Sequence, residues 1–158
     1  MTEASEKPDN RQNPIRPIVG VGAVVFNGPE VLLIRRGKPP KENEWSLPGG
    51  AQLLGETTYE AAVREIREET GLTIQPTCVL DVVDYIDKTP EGAIQFHYTL
   101  IDFLAVTTGG ILQAGTDAID ARFFPLEEAL ALPLWTETQR LIELGAAKMK
   151  QLDTEAPS

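Results

Sequence analysis

The chain of 158 residues holds one cysteine, one histidine and two methionines, and far fewer positive than negative side chains. A single thiol, Cys78, excludes an internal disulfide and is too little for a cysteine-based zinc site. It fits a reducing compartment, so a cytoplasmic location is expected. Cys78 itself lies in a strand-like stretch and reads as a small core residue. No apolar run reaches the ~20 residues of a membrane span, because Gly, Asp or Arg interrupts each one. The opening MTEASEKPDNRQNP lacks the apolar core of a secretory signal. With 14 Lys and Arg against 24 Asp and Glu, the formal net charge is −10. Such a surface repels nucleic acid polymers and anionic membranes. It leaves room for a small phosphorylated ligand, provided a divalent cation stands between the two. His97, in the strand-like QFHYTLIDF, reads as a satisfied structural residue.

What is present is ordinary in amount and informative in order. Apolar residues make up 42% of the chain, enough at this length for one hydrophobic core. Residues 1–14 are polar and read as a disordered arm, 15–150 as a single domain, and 151–158 as a flexible tail. Ile18 to Phe26 reads as a buried strand, Asn27-Gly28-Pro29 as a turn, and Glu30 to Arg35 as the returning strand of a hairpin. Trp45-Ser46-Leu47 is a short extended piece running into Pro48-Gly49-Gly50. Thr77–Ile86 and Ile94–Val106 are longer strand candidates joined by Pro90-Glu91-Gly92. Ala121–Phe124 predicts a short strand, Leu126–Leu130 a short helix, and Leu134–Met149 a longer one. Phe96, Tyr98, Leu100 and the alternating Ile101, Phe103 and Ala105 look like core. Strands and helices mixed without regular alternation predict a mixed sheet packed by helices.

The best-defined element is a helix from Thr58 to Thr70. Tyr59, Ala62, Val63, Ile66 and Thr70 follow the spacing of one buried face. Thr57 with Glu60 three residues later makes a capping box, and Gly71 suits the left-handed position after the helix. On a wheel of ~100° per residue, Glu65, Glu68 and Glu69 fall in a sector adjoining the core stripe. Two carboxylates ~6 Å apart at an effective dielectric of ~20 repel by roughly 3 kcal/mol. Arg64 offsets part of this through its i+4 relation to Glu68, and a divalent cation would offset more. The cluster is therefore either a solvated helix face or a site for a hard cation such as Mg²⁺ or Mn²⁺. A glycine at 50 lets backbone approach such a site closely, and Glu56 stands just before the helix to anchor Arg64 or join the cluster.

These residues carry a resemblance. Gly50-x5-Glu56-x7-Arg64-Glu65-Ile66-x-Glu68-Glu69-x-Gly71-Leu72 is similar to the full signature of the Nudix hydrolases, over 23 residues with no position missing. Looser similarity runs from Val19 to about Leu132, including the FFPLEE segment at 123–128. The resemblance implies an α/β/α sandwich of the α+β class and Mg²⁺-dependent hydrolysis of a nucleoside diphosphate linked to another moiety. It implies Glu65 and Glu69 as main metal ligands, with Glu68 and the Gly50 carbonyl assisting. It further implies Arg64 as the residue orienting the cluster, Glu56 as its partner, and a carboxylate as general base. Glu65 is the first choice of base; Asp117, in the loop Gly115-Thr116-Asp117, is the alternative, its other reading being a turn residue. Arg35 and Arg36 end a strand and point to opposite faces. One of them, Arg35 first, is expected to contact substrate phosphate, the other reading being a solvated strand end. Trp45 either stacks on a base or packs. An ADP-ribose-like substrate is the first expectation, a nucleoside triphosphate pyrophosphohydrolase the second, and a non-catalytic nucleotide-sensing module a third of another class. A homodimer is common among similar proteins.

Overall fold

A computed structural model describes residues 11–155. Its elements, in chain order, are β1 (Ile18–Asn27), β2 (Glu30–Arg36), β3 (Trp45–Ser46), β4 (Gly49–Ala51), α1 (Thr58–Thr70), β5 (Leu72–Lys88), β6 (Ile94–Gly110), β7 (Ala118–Pro125), α2 (Leu126–Leu130) and α3 (Thr136–Glu155). Among the described residues the seven strands form one mixed sheet in the order β3-β2-β1-β6-β5, with β4 added on β1 and β7 on β2. β1 and β6 run parallel, from Ile18↔Tyr98 to Phe26↔Val106, while the other pairings are antiparallel.

One detail of this topology makes the cleft. β1 keeps β2 beside it only at the hairpin, Phe26↔Val31 and Asn27↔Glu30. Further back along β1, the same edge takes β4 instead, with Gly20↔Ala51, Val21↔Gly50 and Gly22↔Gly49. Alternation along β1 sorts its side chains to two layers. Val21, Ala23 and Val25 pack with Ala61, Ala62 and Ile66 of α1. Val24 and Phe26 pack with Leu141 and Ile142 of α3. The result is the expected α/β/α sandwich. Gly20 and Gly22 fall on the α3 side and bring no side chain, which leaves a hollow there. No helix among the described residues is long and apolar enough to cross a membrane.

Several elements run past their expected bounds. Residues 151–155 belong to α3 and form no free tail, because Met149 and Leu152 pack against the core beneath α3 and extend its apolar stripe. Residues 1–10 of the expected arm and 156–158 of the expected tail lie outside the described residues. Of the rest of the arm, the Asn13 N–H donates to the Gln95 carbonyl at 2.8 Å, and Arg11 and Gln12 reach the cleft. β5 is longer than expected and carries register shifts at Thr73/Ile74, Pro76/Cys78, Val79/Asp81 and Asp87/Lys88. Pro76, in register with Ala105, sits beside one of them on the edge strand β5, where a missing N–H is tolerated. Cys78 is half-buried against the α3-side core.

Candidate active site

α1 begins with the expected capping box: the Thr57 Oγ1 accepts from the Glu60 N–H at 3.0 Å, and the Thr57 N–H donates to Glu60 Oε1 at 2.9 Å. Gly71 ends it with φ of 77°. Its buried face holds Ala61, Ala62, Glu65, Ile66 and Thr70. Tyr59, expected in that stripe, is half-exposed and its hydroxyl accepts from Gln75 Nε2. Glu65 takes an interior place, being only 4% exposed, and a carboxylate there needs a partner.

Arg64 is that partner. Its Nη1 donates to Glu65 Oε1 at 2.6 Å and to Glu68 Oε1 at 3.1 Å. Its Nε and Nη2 grip both oxygens of Glu56, and Nη2 also donates to the Ala51 carbonyl. Glu56 is fixed in turn by the Leu53 N–H. One guanidinium thus ties three carboxylates to the strand β4, and the Glu56 bonds hold its pKa above the ordinary arginine value.

One turn from Glu65, Glu69 Oε1 accepts from the Gly49 N–H at 2.8 Å. Burial pushes the Glu69 carboxyl up to about 7; the Gly49 N–H and Arg36 oppose the shift, while Glu65 and Asp117 add to it. Gly50 is pressed against Glu65 so closely that a Cβ there would collide with the carboxylate. Among the described residues no three acidic side chains close around one point, because Arg64 draws Glu56 and Glu68 to itself. What faces the cleft is Glu65, Glu69 and the Gly49-Gly50 backbone. This donor set is all hard oxygen, and its Glu69 anion is poorly stabilised by what surrounds it. It fits Mg²⁺ or Mn²⁺.

The cleft on which they open has a volume of about 630 Å³. Arg36, Lys38 and Lys41 line it, a local positive concentration in a strongly negative protein. Lys38 Nζ pairs with Asp117 Oδ1 at 2.9 Å, and Asp117 is half-exposed at the cleft. Tyr85 and Trp135 form an aromatic wall, edge to face with centroids 5.4 Å apart. Lys41 Nζ lies 5.7 Å from the Tyr85 ring and 5.4 Å from the Trp135 ring. Tyr98, expected as core, is a cleft residue instead, while Phe96 and Leu100 are packed as expected and line the cleft as well.

Of the residues singled out in the sequence, Gly50, Glu65, Glu69 and Asp117 line one cleft. Glu56 and Arg64 stand behind it as a brace, and Glu68 is exposed on the Arg64 side. Arg35 is elsewhere, exposed, its Nε donating to the Asn43 carbonyl. The cleft is lined by Arg36, the other arginine at this strand end; adjacent strand residues point to opposite faces, and the register shift beside them places its extra residue, Ile119, on β7. Trp45 is also elsewhere: it packs edge-on against Phe124 at 5.0 Å, with Arg122 over its ring, so packing is what its ring does. Lys38, Tyr85, Trp135 and Asp102 carry no signal in the sequence, because loops and non-adjacent strands bring them to the cleft only in the folded chain.

The NUDIX domain family model matches residues 16–144. The chain belongs to the Nudix family. It is 40% identical over 112 residues to an ADP-ribose pyrophosphatase of Methanocaldococcus jannaschii, covering 71% of this chain and 64% of that one. It is 35% identical over 127 residues to the mouse 8-oxo-dGDP phosphatase NUDT18, covering 77% of this chain and 36% of that one. The chain therefore spans less than two thirds of either relative. A MutT NUDIX hydrolase crystal structure from Burkholderia pseudomallei superposes with a TM-score of 0.70 at 31% identity, covering 82% of this Nudix chain and 98% of that one.

Proposed function

We propose that the chain hydrolyses the diphosphate linkage of a small nucleoside diphosphate derivative, with ADP-ribose or a close analogue as first choice. The arrangement of one cleft carries this reading: the buried Glu65 and half-buried Glu69 at one end, Arg36 and Lys38 on the wall, and the rings of Tyr85 and Trp135. Mg²⁺ or Mn²⁺ would be held by Glu65, Glu69 and the Gly50 carbonyl, and when bound would supply the charge that neutralises phosphate oxygens and the leaving group. Arg36 and Lys38 orient the diphosphate. Trp135 and Tyr85 offer faces and edges to a base, a contact worth ~1–3 kcal/mol per base in comparable settings. Glu65, braced by Arg64, accepts the proton of the attacking water. Asp117, paired with Lys38, is the alternative base at the cleft mouth. ADP-ribose as substrate is supported by the 40% identical archaeal relative.

The 35% similarity to an 8-oxo-dGDP phosphatase favours a second reading, hydrolysis of nucleoside di- or triphosphates. Chromatography of products with Mg²⁺ separates the two. AMP and ribose 5-phosphate from ADP-ribose support the first; a monophosphate with phosphate or pyrophosphate, and no turnover of ADP-ribose, supports the second. No turnover of either class removes both.

A further inference from the structure

The hydrogen bonds around the signature helix leave one buried acid unexplained. β6 turns Phe96, Tyr98, Leu100 and Asp102 to the α3 side, and all four line the cleft. The next residue on that face, Leu104, is already core beneath α3. Asp102 thus stands where core passes into cleft, 5% exposed, and its Oδ2 has no hydrogen-bond partner. Charged groups do lie near it: Asp81 on β5 and Arg140 on α3. Arg140, however, is committed to Asp81 at 2.8 Å and to Glu137 at 2.8 Å. Burial accordingly pushes the Asp102 carboxyl up to about 7. Beneath it, β1 has Gly22, where a Cβ would come within 2.7 Å of Asp102 Oδ1. A glycine and a buried acid together make a position that packing alone would fill with less cost using an apolar side chain.

Location says what would satisfy it. Gly49, Gly22 and Asp102 lie in register on three adjacent strands, so the Asp102 backbone stands two strand spacings, roughly 10 Å, from that of Gly49, while its carboxyl leans back over Gly22 on the α3 side. Glu65 and Glu69 project from α1, which packs on the other face of the sheet, and phosphate oxygens bring acceptors of the same sign as the Asp102 carboxyl. The nucleoside part reaches it, and an acceptor there selects an N–H. The geometry points to Asp102 as a specificity-determining residue whose carboxyl accepts an N–H from the exocyclic amino group of the nucleobase. This rests on the reading of the cleft as a nucleotide site and deepens it.

The test is titration calorimetry of the full chain, without added metal, using AMP, GMP and CMP against their amine-lacking counterparts IMP and UMP. The wild type should bind at least one amino-bearing member about tenfold or more tighter than its counterpart, as expected where a site loses its hydrogen-bond partner. Asp102→Leu, close in shape and without any acceptor, should bring that ratio to within about twofold and melt no lower than wild type at pH 8. The inference is overturned by a wild type that treats each pair alike or binds none. It is equally overturned by a Leu variant that keeps the ratio, or that melts lower or fails to fold, since those mark a purely structural acid. Absence of hydrolysis would sink the proposed reaction while leaving this binding ratio standing or falling by itself.

Discussion

The two ends of the cleft are built in opposite ways. The acidic end comes from one contiguous stretch, Gly49 to Glu69, in which a capped helix and a glycine pair set every side chain relative to the next. The other end draws on β2, the loop after it, β5, β6 and the residue just before α3, brought together only by the folded sheet. The acidic end is rigid because Arg64 cross-links Glu56, Glu65 and Glu68; the other end is a wall of rings and lysines with few mutual bonds. The first is suited to holding reacting groups in place, the second to selecting what is presented to them. Substitutions should therefore separate: turnover lost at one end, affinity at the other.

The largest effect is expected at Glu69. Glu69→Gln keeps its volume and its acceptor for the Gly49 N–H but removes the charge, and should lower kcat by roughly 10²–10³-fold without lowering Tm. Unchanged kcat in a steady-state assay would detach this helix from the chemistry. Next comes Arg64→Ala, which leaves Glu56 and Glu65 facing each other without their shared cation. A loss of about 3 kcal/mol in denaturant unfolding is expected, with turnover down roughly 10–100-fold. A variant as stable as wild type would show that the brace is decorative. At the other end, Arg36→Ala should raise KM about tenfold at steady kcat, whereas Arg35→Ala should change neither beyond about twofold. Equal effects of the two would mean that the alternation along β2 does not send them to different surroundings.

The smallest effect is in stability against pH. The Asp102 carboxyl has an ordinary value of 3.8 and is raised to about 7 in the folded chain, with desolvation as the main cause and Asp81 as the next. Between these values the folded state binds the extra proton, so stability falls as pH rises from about 4 to about 7. Asp102→Asn should flatten that fall by on the order of 1–2 kcal/mol, read from urea midpoints at pH 5 and pH 8. Glu69 titrates in the same window, so the difference between the two proteins, and not the wild-type curve alone, carries the prediction.

Much of this was legible before any coordinates, and the divide follows the same line. Helix α1, its caps, the hairpin and the signature residues are local: spacing along one helix determines which side chains meet, and Gly50 and Glu65 do meet. Arg35 against Arg36 was a choice between the two faces of one strand, which only the folded sheet decides. Tyr85 lies beyond two extra residues on β5, Thr77 and Leu80, so alternation counted from the start of that strand is interrupted twice before reaching it. Trp45 and Trp135 are equally aromatic in the sequence; only tertiary structure sends one against Phe124 and the other into the cleft. α3 ran beyond its expected end because the apolar positions at Met149 and Leu152 continue the stripe.

The central claim is that Glu65 and Glu69 sit uncomfortably together because a divalent ion belongs between them and a phosphate. Titrating Mn²⁺ into the protein with AMP present, followed by its paramagnetic resonance signal, measures this without any turnover. Saturable binding at or below millimolar Mn²⁺, abolished in Glu69→Gln and competed by Mg²⁺, is the predicted result. A free-ion signal undiminished by wild-type protein, with AMP supplied, would contradict it.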